Sequence, residues 1–519
     1  MAGAPEKTYQ QRRPEKTILY RVIQQHLESF LEHAYESSGR PLPKYVENEF
    51  RRYLECGLHA HGLARAVCEA CGEELLLPFS CKRRGICPSC NTRRMSNTAA
   101  HLMDHMIPAH VTLRQWVLTV PFELRLLLAA KPEALSAVGR IFIQEIQRWQ
   151  RQRACALGCE QAEGAAVSFC QRFGSSLNLN IHWHVIVPDA LFLQDATGEH
   201  ADTLKHRAPT RLDLEEIVTT IAIRSVGWLR RAGYLRAENE QAPQRSADAD
   251  SPWMRCLQGS LGVGELQRWA DHGIAEKPAD RARGSSHPKP TRSLGAQHLQ
   301  FNLHAGVSVP GGLPAARERL LRYCARPPLA LDRLSILDDG RICYRIKDGD
   351  QARLMTPTQF MARLAALVPP PRHPLVRFYG VWAPHHRWRS SVVTATPKGK
   401  PPRAEPVSAC PPPAGANPAP GETPRAHSIP RGPSAADLPV PPVVSNDALR
   451  FIRLSRLAWA ILYQRVFDID PLECSSCGGR MRFVEVIEDV GRARSELRRR
   501  NLPAEPPPLA RARAPDWDD

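Results

Sequence analysis

Two closely spaced cysteine pairs are the strongest constraint that this sequence places on a fold. Cys68 and Cys71 form one C-x2-C pair, Cys87 and Cys90 form another, and fifteen residues separate the pairs. Two such knuckles can bring four thiolates to the corners of a tetrahedron, the arrangement that Zn²⁺ prefers in structural sites. In a reducing cytosol, clustered cysteines bind metal far more often than they form disulfides. The sequence therefore predicts a closed, structural zinc site on these four residues.

More metal-ligating side chains lie around these pairs. Cys56, His61 and Cys81, with His59 nearby, are candidates for a second zinc site. A closed site needs four ligands, which these residues could supply. The other interpretation is that they are ordinary structural or solvent-exposed residues.

The chain is strongly basic, with 70 Lys and Arg against 53 Asp and Glu and a net charge of +17. Such an excess favours a polyanionic partner, most commonly nucleic acid, with an anionic membrane surface as the alternative. No apolar run approaches the roughly 18 residues of a spanning helix, and the amino terminus lacks a signal-peptide core. We therefore expect a soluble cytoplasmic protein without a membrane partner. Four basic residues beside the second cysteine pair could contact DNA phosphates or form a solvated face: Arg83, Arg84, Arg93 and Arg94.

Two histidines flank one tryptophan in the stretch LNLNIHWHVIVPDALF, whose apolar, β-branched flanks predict a strand. Residues two apart on a strand point to the same face, so His182 and His184 would converge while Trp183 points the other way. Converging imidazoles suit a divalent metal. The alternative is a pair of histidines on a half-buried sheet face.

A third ligand for such a metal is less well defined. Gln171 lies on the preceding strand, and a hairpin through 174–178 could bring it opposite the histidines. Its amide could instead hydrogen-bond within the sheet. His304, in the segment HAGV, is a weaker candidate.

A tyrosine on a basic helix follows, in the segment ARERLLRYCARPPLALDRL. Tyr323 could simply pack or lie at the surface. Beside a metal-bound phosphate, however, a phenol can attack a phosphodiester and form a covalent phosphotyrosine. Arg322 and Arg326 flank the tyrosine and could hold phosphate oxygens, or they could be exposed helix residues.

The rest of the chain predicts an α+β protein in several regions. Apolar spacing predicts helices over 15–35, 136–153, 213–231 and around 315–326, with strand-like runs between them. Between Pro397 and Pro442 there are 15 prolines in 46 residues, which is typical of an extended linker. The predicted regions are a zinc-binding unit over 1–110, a sheet-and-helix domain over 111–395 with a flexible insertion at 236–297, a linker over 396–446, and a basic unit over 447–519.

The last region contains an apolar helix, LAWAILYQRVF, and a third C-x2-C pair, Cys474 with Cys477. This pair could bind zinc. Because a closed site needs four ligands, a second pair would have to come from elsewhere in this chain or from another chain.

The order of motifs resembles one known family. The motifs are FSCKRRGICPSC, RQWVLTVP, QRFGSSLNLNIHWHVIVPD, HAGV, RYCARPPLA, LVPPPRHPLVRFYGVWAP and LAWAILYQRVFDIDPLECSSCGGRMRF. In this combination the chain resembles the HUH rolling-circle transposases of the insertion-sequence ninety-one family, especially their common-region branch. The resemblance covers about residues 10–395 and 449–490.

This resemblance implies a single-strand DNA endonuclease and strand transferase acting on mobile-element ends and target DNA. His182 and His184 would bind Mg²⁺ or Mn²⁺, and Tyr323 would form a 5′-phosphotyrosine link. Host replication machinery would extend the free 3′-OH, close to the nucleoid. Many members carry a second tyrosine four residues earlier, where this chain has Arg319. The implied nuclease fold is an antiparallel sheet of four or five strands with helices on one face.

Two other functions fit parts of the same pattern. A plasmid replication initiator or relaxase would share the nuclease chemistry. A non-catalytic zinc-containing DNA-binding regulator would explain the charge and the cysteines, but it leaves the histidines and Tyr323 without a purpose.

Overall fold

The computed structural model describes residues 9–194, 201–235, 251–261, 294–346, 351–393 and 459–513, which form an α+β fold. The strands are β1 Leu63–Cys68, β2 Glu74–Pro78, β3 Leu113–Thr119, β4 Ala165–Phe173, β5 Leu179–Pro188, β6 Ala190–Gln194, β7 Ala201–Lys205, β8 Gly295–His298, β9 Phe301–Val309, β10 Leu334–Ile336, β11 Ile342–Arg345, β12 Ala352–Met355, β13 Val376–Gly380 and β14 Met481–Ile487. The helices are α1 Ile18–Glu36, α2 Lys44–Glu55, α3 Pro88–His101, α4 Phe122–Ala130, α5 Pro132–Ala156, α6 Arg211–Arg231, α7 Pro252–Leu261, α8 Pro314–Cys324, α9 Pro357–Leu367, α10 Arg389–Val392, α11 Trp459–Phe467 and α12 Val490–Arg499.

A six-stranded sheet forms the centre of the fold, in the order β13-β4-β5-β3-β9-β8 with every neighbouring pair antiparallel. The histidine strand β5 is therefore central in the sheet. The sheet has six strands rather than the expected four or five. Helices also cover both faces rather than one, because β5 is apolar and buried on both sides.

One face of the sheet packs against α4, α5, α6 and α7. Ile181, Trp183 and Val185 of β5 belong to this core, so Trp183 points away from the histidines as predicted. The approach of α5 is close, since a Cβ at Gly139 would lie 2.9 Å from the indole nitrogen of Trp183. Helix α7 lies inside the interval predicted to be a flexible insertion, and Leu257 is fully buried, so that prediction was wrong for residues 252–261. Residues 236–250 and 262–293 lie outside the described ones.

The opposite face packs against α3 and α8, the helix that carries the tyrosine. Phe169 of β4 and Ile186 of β5 form a buried core there with Leu321 and Trp382. Alternation along β5 places His182 and His184 on this same face, beneath α8. The histidines of β5 and the tyrosine helix α8 therefore face each other across one layer of packed side chains.

The amino-terminal unit contains α1, α2 and the hairpin β1–β2. Strand β14, from the last region of the chain, pairs antiparallel with β1, with Cys68 opposite Met481. Leu497 of α12 packs against Leu63 in the same small core. The last region thus lies against the first, and the proline-rich segment predicted between residues 396 and 446 falls outside the described residues.

Several local predictions are confirmed. The helices expected near 15–35, 136–153, 213–231 and 315–326 correspond to α1, α5, α6 and α8. The Asp-Gly pair is a typical hairpin turn sequence, and Asp339 and Gly340 form the turn between β10 and β11, where Gly340 has a φ of 81°. Within the described ranges, no helix is long and apolar enough to cross a membrane.

Candidate active site and metal centres

The first histidine is oriented by its own strand. Nδ1 of His182 lies 3.0 Å from the carbonyl oxygen of Asn180. A carbonyl only accepts hydrogen bonds, so Nδ1 carries the ring proton and Nε2 keeps its lone pair. This is the tautomer that a metal-binding imidazole uses, with a backbone carbonyl as the orienting partner.

The second histidine is oriented from the neighbouring strand. His184 lies with its ring centroid 5.0 Å from that of His182. Its Nδ1 is 2.7 Å from the amide of Gln115 on β3, and its Nε2 is buried without a hydrogen-bond partner. The atom of Gln115 that faces Nδ1 is its amide nitrogen, which donates, so Nε2 carries the ring proton in this arrangement. Metal binding at Nε2 requires the Gln115 amide to rotate by half a turn, so that its oxygen accepts a hydrogen bond from Nδ1. Sequence reasoning missed Gln115, and only the pairing of β3 with β5 reveals it.

Burial keeps both imidazoles neutral. Desolvation lowers the pKa of His182 to about 4, with nearby arginines adding a smaller effect. Desolvation also lowers the pKa of His184 to about 3, and the neighbouring His182 contributes. At neutral pH both rings are therefore uncharged, the form in which imidazole binds a cation.

Gln171, the third candidate ligand, lies beside the two histidines. It lies directly opposite His182 in the β4–β5 register, across the hairpin that the sequence predicted. Its amide nitrogen donates to the carbonyl oxygen of Cys324 at 2.8 Å, while its Oε1 is buried without a partner. His304 is on the same face of the sheet, but Val117 of β3 stands between it and His184.

The tyrosine lies beside these atoms. The ring centroids of Tyr323 and His184 are 5.5 Å apart, with the ring planes at 84°. Tyr323 is 42% exposed, so a polymeric substrate can reach it. The next residue, Cys324, is buried and receives hydrogen bonds from Gln171 and Gln115, which ties the end of α8 to the histidine sheet.

The two arginines on either side of the tyrosine differ in their surroundings. Arg326 places its guanidinium carbon 5.0 Å from the Tyr323 ring centroid, and its Nε is buried without a partner. Arg322 also has a buried Nε without a partner, but its Nη2 is paired with Glu318 at 2.7 Å on the same helix. Glu318 also pairs with Arg465 of α11 at 3.2 Å, so the last region of the chain contacts the tyrosine helix.

The cysteines form two groups of four, and the predicted grouping was wrong. Among the described residues, one group joins Cys56, Cys81, Cys87 and Cys90, with all four sulfurs within 4.8 Å of one another. Three of the Sγ–Sγ separations are 3.5 to 3.7 Å. Tetrahedral zinc with bonds of about 2.3 Å requires sulfurs roughly 3.8 Å apart, so the group fits Zn²⁺.

The second group joins the ends of the chain. Cys68 and Cys71 meet Cys474 and Cys477, with Sγ separations of 3.5 Å between Cys68 and Cys477 and 3.6 Å between Cys71 and Cys474. The partner pair that the sequence left open thus lies in the same chain. The cause is the pairing of β1 with β14, which no local spacing encodes.

The histidines near the first cysteines lie outside both groups. His59 is held by the carbonyl oxygen of Leu76 at 3.1 Å and by the amide of Gln11 at 2.9 Å. Neither His59 nor His61 belongs to a four-ligand group in the part of the chain that the structure describes. Cys56 and Cys81, the other candidates for a second site, are joined by Cys87 and Cys90 in place of these histidines.

The basic residues beside the cysteines differ in role. Arg84 donates to the carbonyl oxygens of His373 at 2.7 Å and Pro370 at 2.9 Å, which joins the cysteine unit to the segment after α9. Arg94 donates to the carbonyl oxygens of Lys82 and Arg83. Arg84 is therefore engaged by main-chain carbonyls, and the DNA contact predicted for these arginines stays a prediction.

Comparison with known families agrees with this division. A family described as "Transposase zinc-binding domain" matches residues 22–120, and one described as "Putative transposase" matches residues 165–390. The first match contains Cys56 to Cys90, and the second contains Gln171, His182, His184 and Tyr323. None of the curated proteins and none of the solved structures matches the chain.

The zinc-binding unit and the histidine sheet thus belong to a transposase. Together the two matches assign the chain to the insertion-sequence ninety-one transposase family. Its cysteine groups support structural Zn²⁺. Cys474 and Cys477 lie beyond both matched segments.

Proposed function

We propose that this transposase cleaves single-stranded DNA and transfers the cut strand through a 5′-phosphotyrosine on Tyr323. The observation that carries the proposal is the meeting of two buried, unpartnered atoms with the tyrosine. Nε2 of His184 and Oε1 of Gln171 have no hydrogen-bond partner. Such atoms are costly in a protein interior unless a ligand satisfies them.

The donor set suits a divalent cation. Nε2 of His182, Nε2 of His184 and Oε1 of Gln171 supply two neutral nitrogens and one amide oxygen. Amide and water oxygens suit Mg²⁺ and Mn²⁺, and imidazole is better tolerated by Mn²⁺. When bound there, such a cation supplies polarisation of the scissile phosphate.

The remaining chemistry belongs to the chain itself. The Tyr323 hydroxyl attacks phosphorus, the bond from phosphorus to the 3′ oxygen breaks, and the departing 3′ oxygen takes up a proton as the phenol loses one. Arg326, beside the phenol ring, is suited to bind a non-bridging oxygen of that phosphate. Because the new phosphodiester replaces the old one, rejoining to another 3′-OH needs no ATP.

The tyrosine helix supports a mechanism with one nucleophile. The position one turn before Tyr323 is Arg319, which is exposed. A single tyrosine must release the first DNA end before it captures a second one, unless two chains cooperate. Rolling-circle transposition, with host replication from the free 3′-OH near the nucleoid, is the process that this order of events fits.

The decisive experiment is a search for covalent adducts on a denaturing gel, using labelled single strands from the ends of the element. With Mn²⁺ or Mg²⁺ the wild-type chain should form an adduct. Tyr323→Phe should lose it by on the order of 10³-fold or more, the scale expected for removal of a nucleophile. EDTA should also abolish the adduct, and added Mn²⁺ or Mg²⁺ should restore it.

The matched control is Tyr35→Phe, since Tyr35 is also an exposed helical tyrosine, at 55% exposure, far along the chain from Tyr323. It should form the adduct at the wild-type level. An undiminished adduct in Tyr323→Phe would remove this residue from the mechanism. Adducts that form only on plasmid origin sequences would favour a replication initiator instead.

A further inference from the structure

A small cavity opens beside Arg326, and no function has been assigned to it above. Its volume is about 180 Å³. It lies between the β4–β5 turn, the segment that follows α8, and the short helix Leu331–Arg333. Its walls include Phe173, Ser175, Arg326, Pro328, Leu329 and Arg333.

Arg326 connects this cavity to the candidate active site. Its guanidinium carbon lies 5.0 Å from the Tyr323 ring centroid and 5.5 Å from that of Phe173. The same guanidinium therefore borders both the nucleophile and the cavity. A nucleotide bound in the cavity would therefore be close enough to be joined, through the DNA backbone, to a phosphate bound at Tyr323.

The cavity is basic and partly aromatic. Its lining contains two arginines and no acidic residue. The guanidinium of Arg333 lies over the ring of buried Tyr344 at 5.1 Å, which directs it along this wall. A guanidinium suits a phosphate, and arginine, aromatic and apolar surfaces suit the face of a base.

The walls are held in a defined shape. In the β4–β5 turn, the Gly174 amide donates to the Asn178 carbonyl oxygen at 2.9 Å, and a Cβ on Gly174 would meet the Asn178 side chain at 2.3 Å. Leu177 is fully buried with a φ of 56°, a conformation that leucine seldom adopts. Pro327 and Pro328 restrict the opposite wall. A preformed cavity lowers the entropic cost of ordering a ligand.

We infer that this cavity binds one nucleotide of the single strand, the one that flanks the scissile phosphate. Its base lies against Phe173 and Leu329, and its own phosphate is bound by Arg333. This inference rests on the proposed function, because the DNA must already be engaged at Tyr323. It makes Arg333 a residue that positions the nucleotide beside the cut through its phosphate, without selecting its base.

Photochemical cross-linking tests the inference without requiring cleavage. The probe is a short oligothymidylate in which one thymine is replaced by 5-iodouracil, which joins to an aromatic ring on which it stacks. After irradiation, the cross-linked peptide that begins at Phe173 is measured by mass spectrometry. Arg333→Ala should reduce its yield roughly tenfold, the scale of one bound base.

Arg341→Ala is the matched control. Arg341 lies in the turn before β11 and pairs with Asp339 at 2.6 Å, outside the cavity. It should cross-link at the wild-type level. Cross-links that avoid Phe173, or a yield unchanged in Arg333→Ala, would overturn the inference. The covalent-adduct gel is read separately, so cross-linking at Phe173 without adducts would reject the nuclease and keep the nucleotide site.

Discussion

The two four-cysteine groups have the same ligands but very different surroundings. The group of Cys56, Cys81, Cys87 and Cys90 spans 35 residues and belongs to a large core that includes Phe50 and Leu364. The group of Cys68, Cys71, Cys474 and Cys477 joins segments about 400 residues apart and belongs to a core of a few side chains.

The cysteines of the first group are also less exposed to solvent than those of the second. Cys56, Cys87 and Cys90 are buried in the first group, whereas Cys71 and Cys477 are exposed in the second. The comparison suggests that the first metal organises the amino-terminal fold and the second closes the last region onto it. Identical chemistry thus serves two levels of organisation, a local fold and a long-range connection.

The largest loss of stability is expected from Cys87→Ser. Binding of structural zinc is worth about 10–16 kcal/mol in small zinc domains, more than the usual stability of a whole domain. Loss of a fully buried ligand should therefore leave the amino-terminal unit unfolded, and the chain should be insoluble or lack a cooperative thermal transition. A cooperative transition near the wild-type temperature would mean that the core, rather than the metal, organises this unit.

An intermediate effect is expected from Cys474→Ser. This change leaves three thiolates in the second group and all four thiolates in the first group. Native mass spectrometry should find zinc falling from two ions per chain to one, while the amino-terminal core stays folded by circular dichroism. The last region should become sensitive to protease between residues 459 and 513. Loss of both ions would show that the two groups are not independent.

The smallest effect is expected in the rate of metal loss from the unmodified chain. A chelator should remove the second zinc first, because two of its four ligands are exposed, and the first zinc more slowly. Release measured with a colorimetric zinc indicator should show two phases of equal amplitude. Cys155→Ser, at an exposed cysteine outside both groups, is the control and should leave both phases unchanged.

The histidine site was more predictable from sequence than the cysteine groups. The H-x-H strand, the β4–β5 hairpin and the tyrosine helix each follow from periodicities within about ten residues. Their mutual placement was expected only through the family resemblance. Gln115 could not be found, because it acts through a hydrogen bond from a neighbouring strand that lies far away along the chain.

The sequence by itself determined the local elements and the chemistry available to them: the converging histidines, a tyrosine on a basic helix and enough thiolates for two metals. Only the tertiary structure decided which cysteines lie together, that Arg84 donates to main-chain carbonyls after α9, and that a basic cavity adjoins Arg326. The physical reason is the separation along the chain over which each interaction acts. Side-chain alternation and helical repeat act between near neighbours, whereas strand pairing such as β1 with β14 depends on the packing of the whole chain.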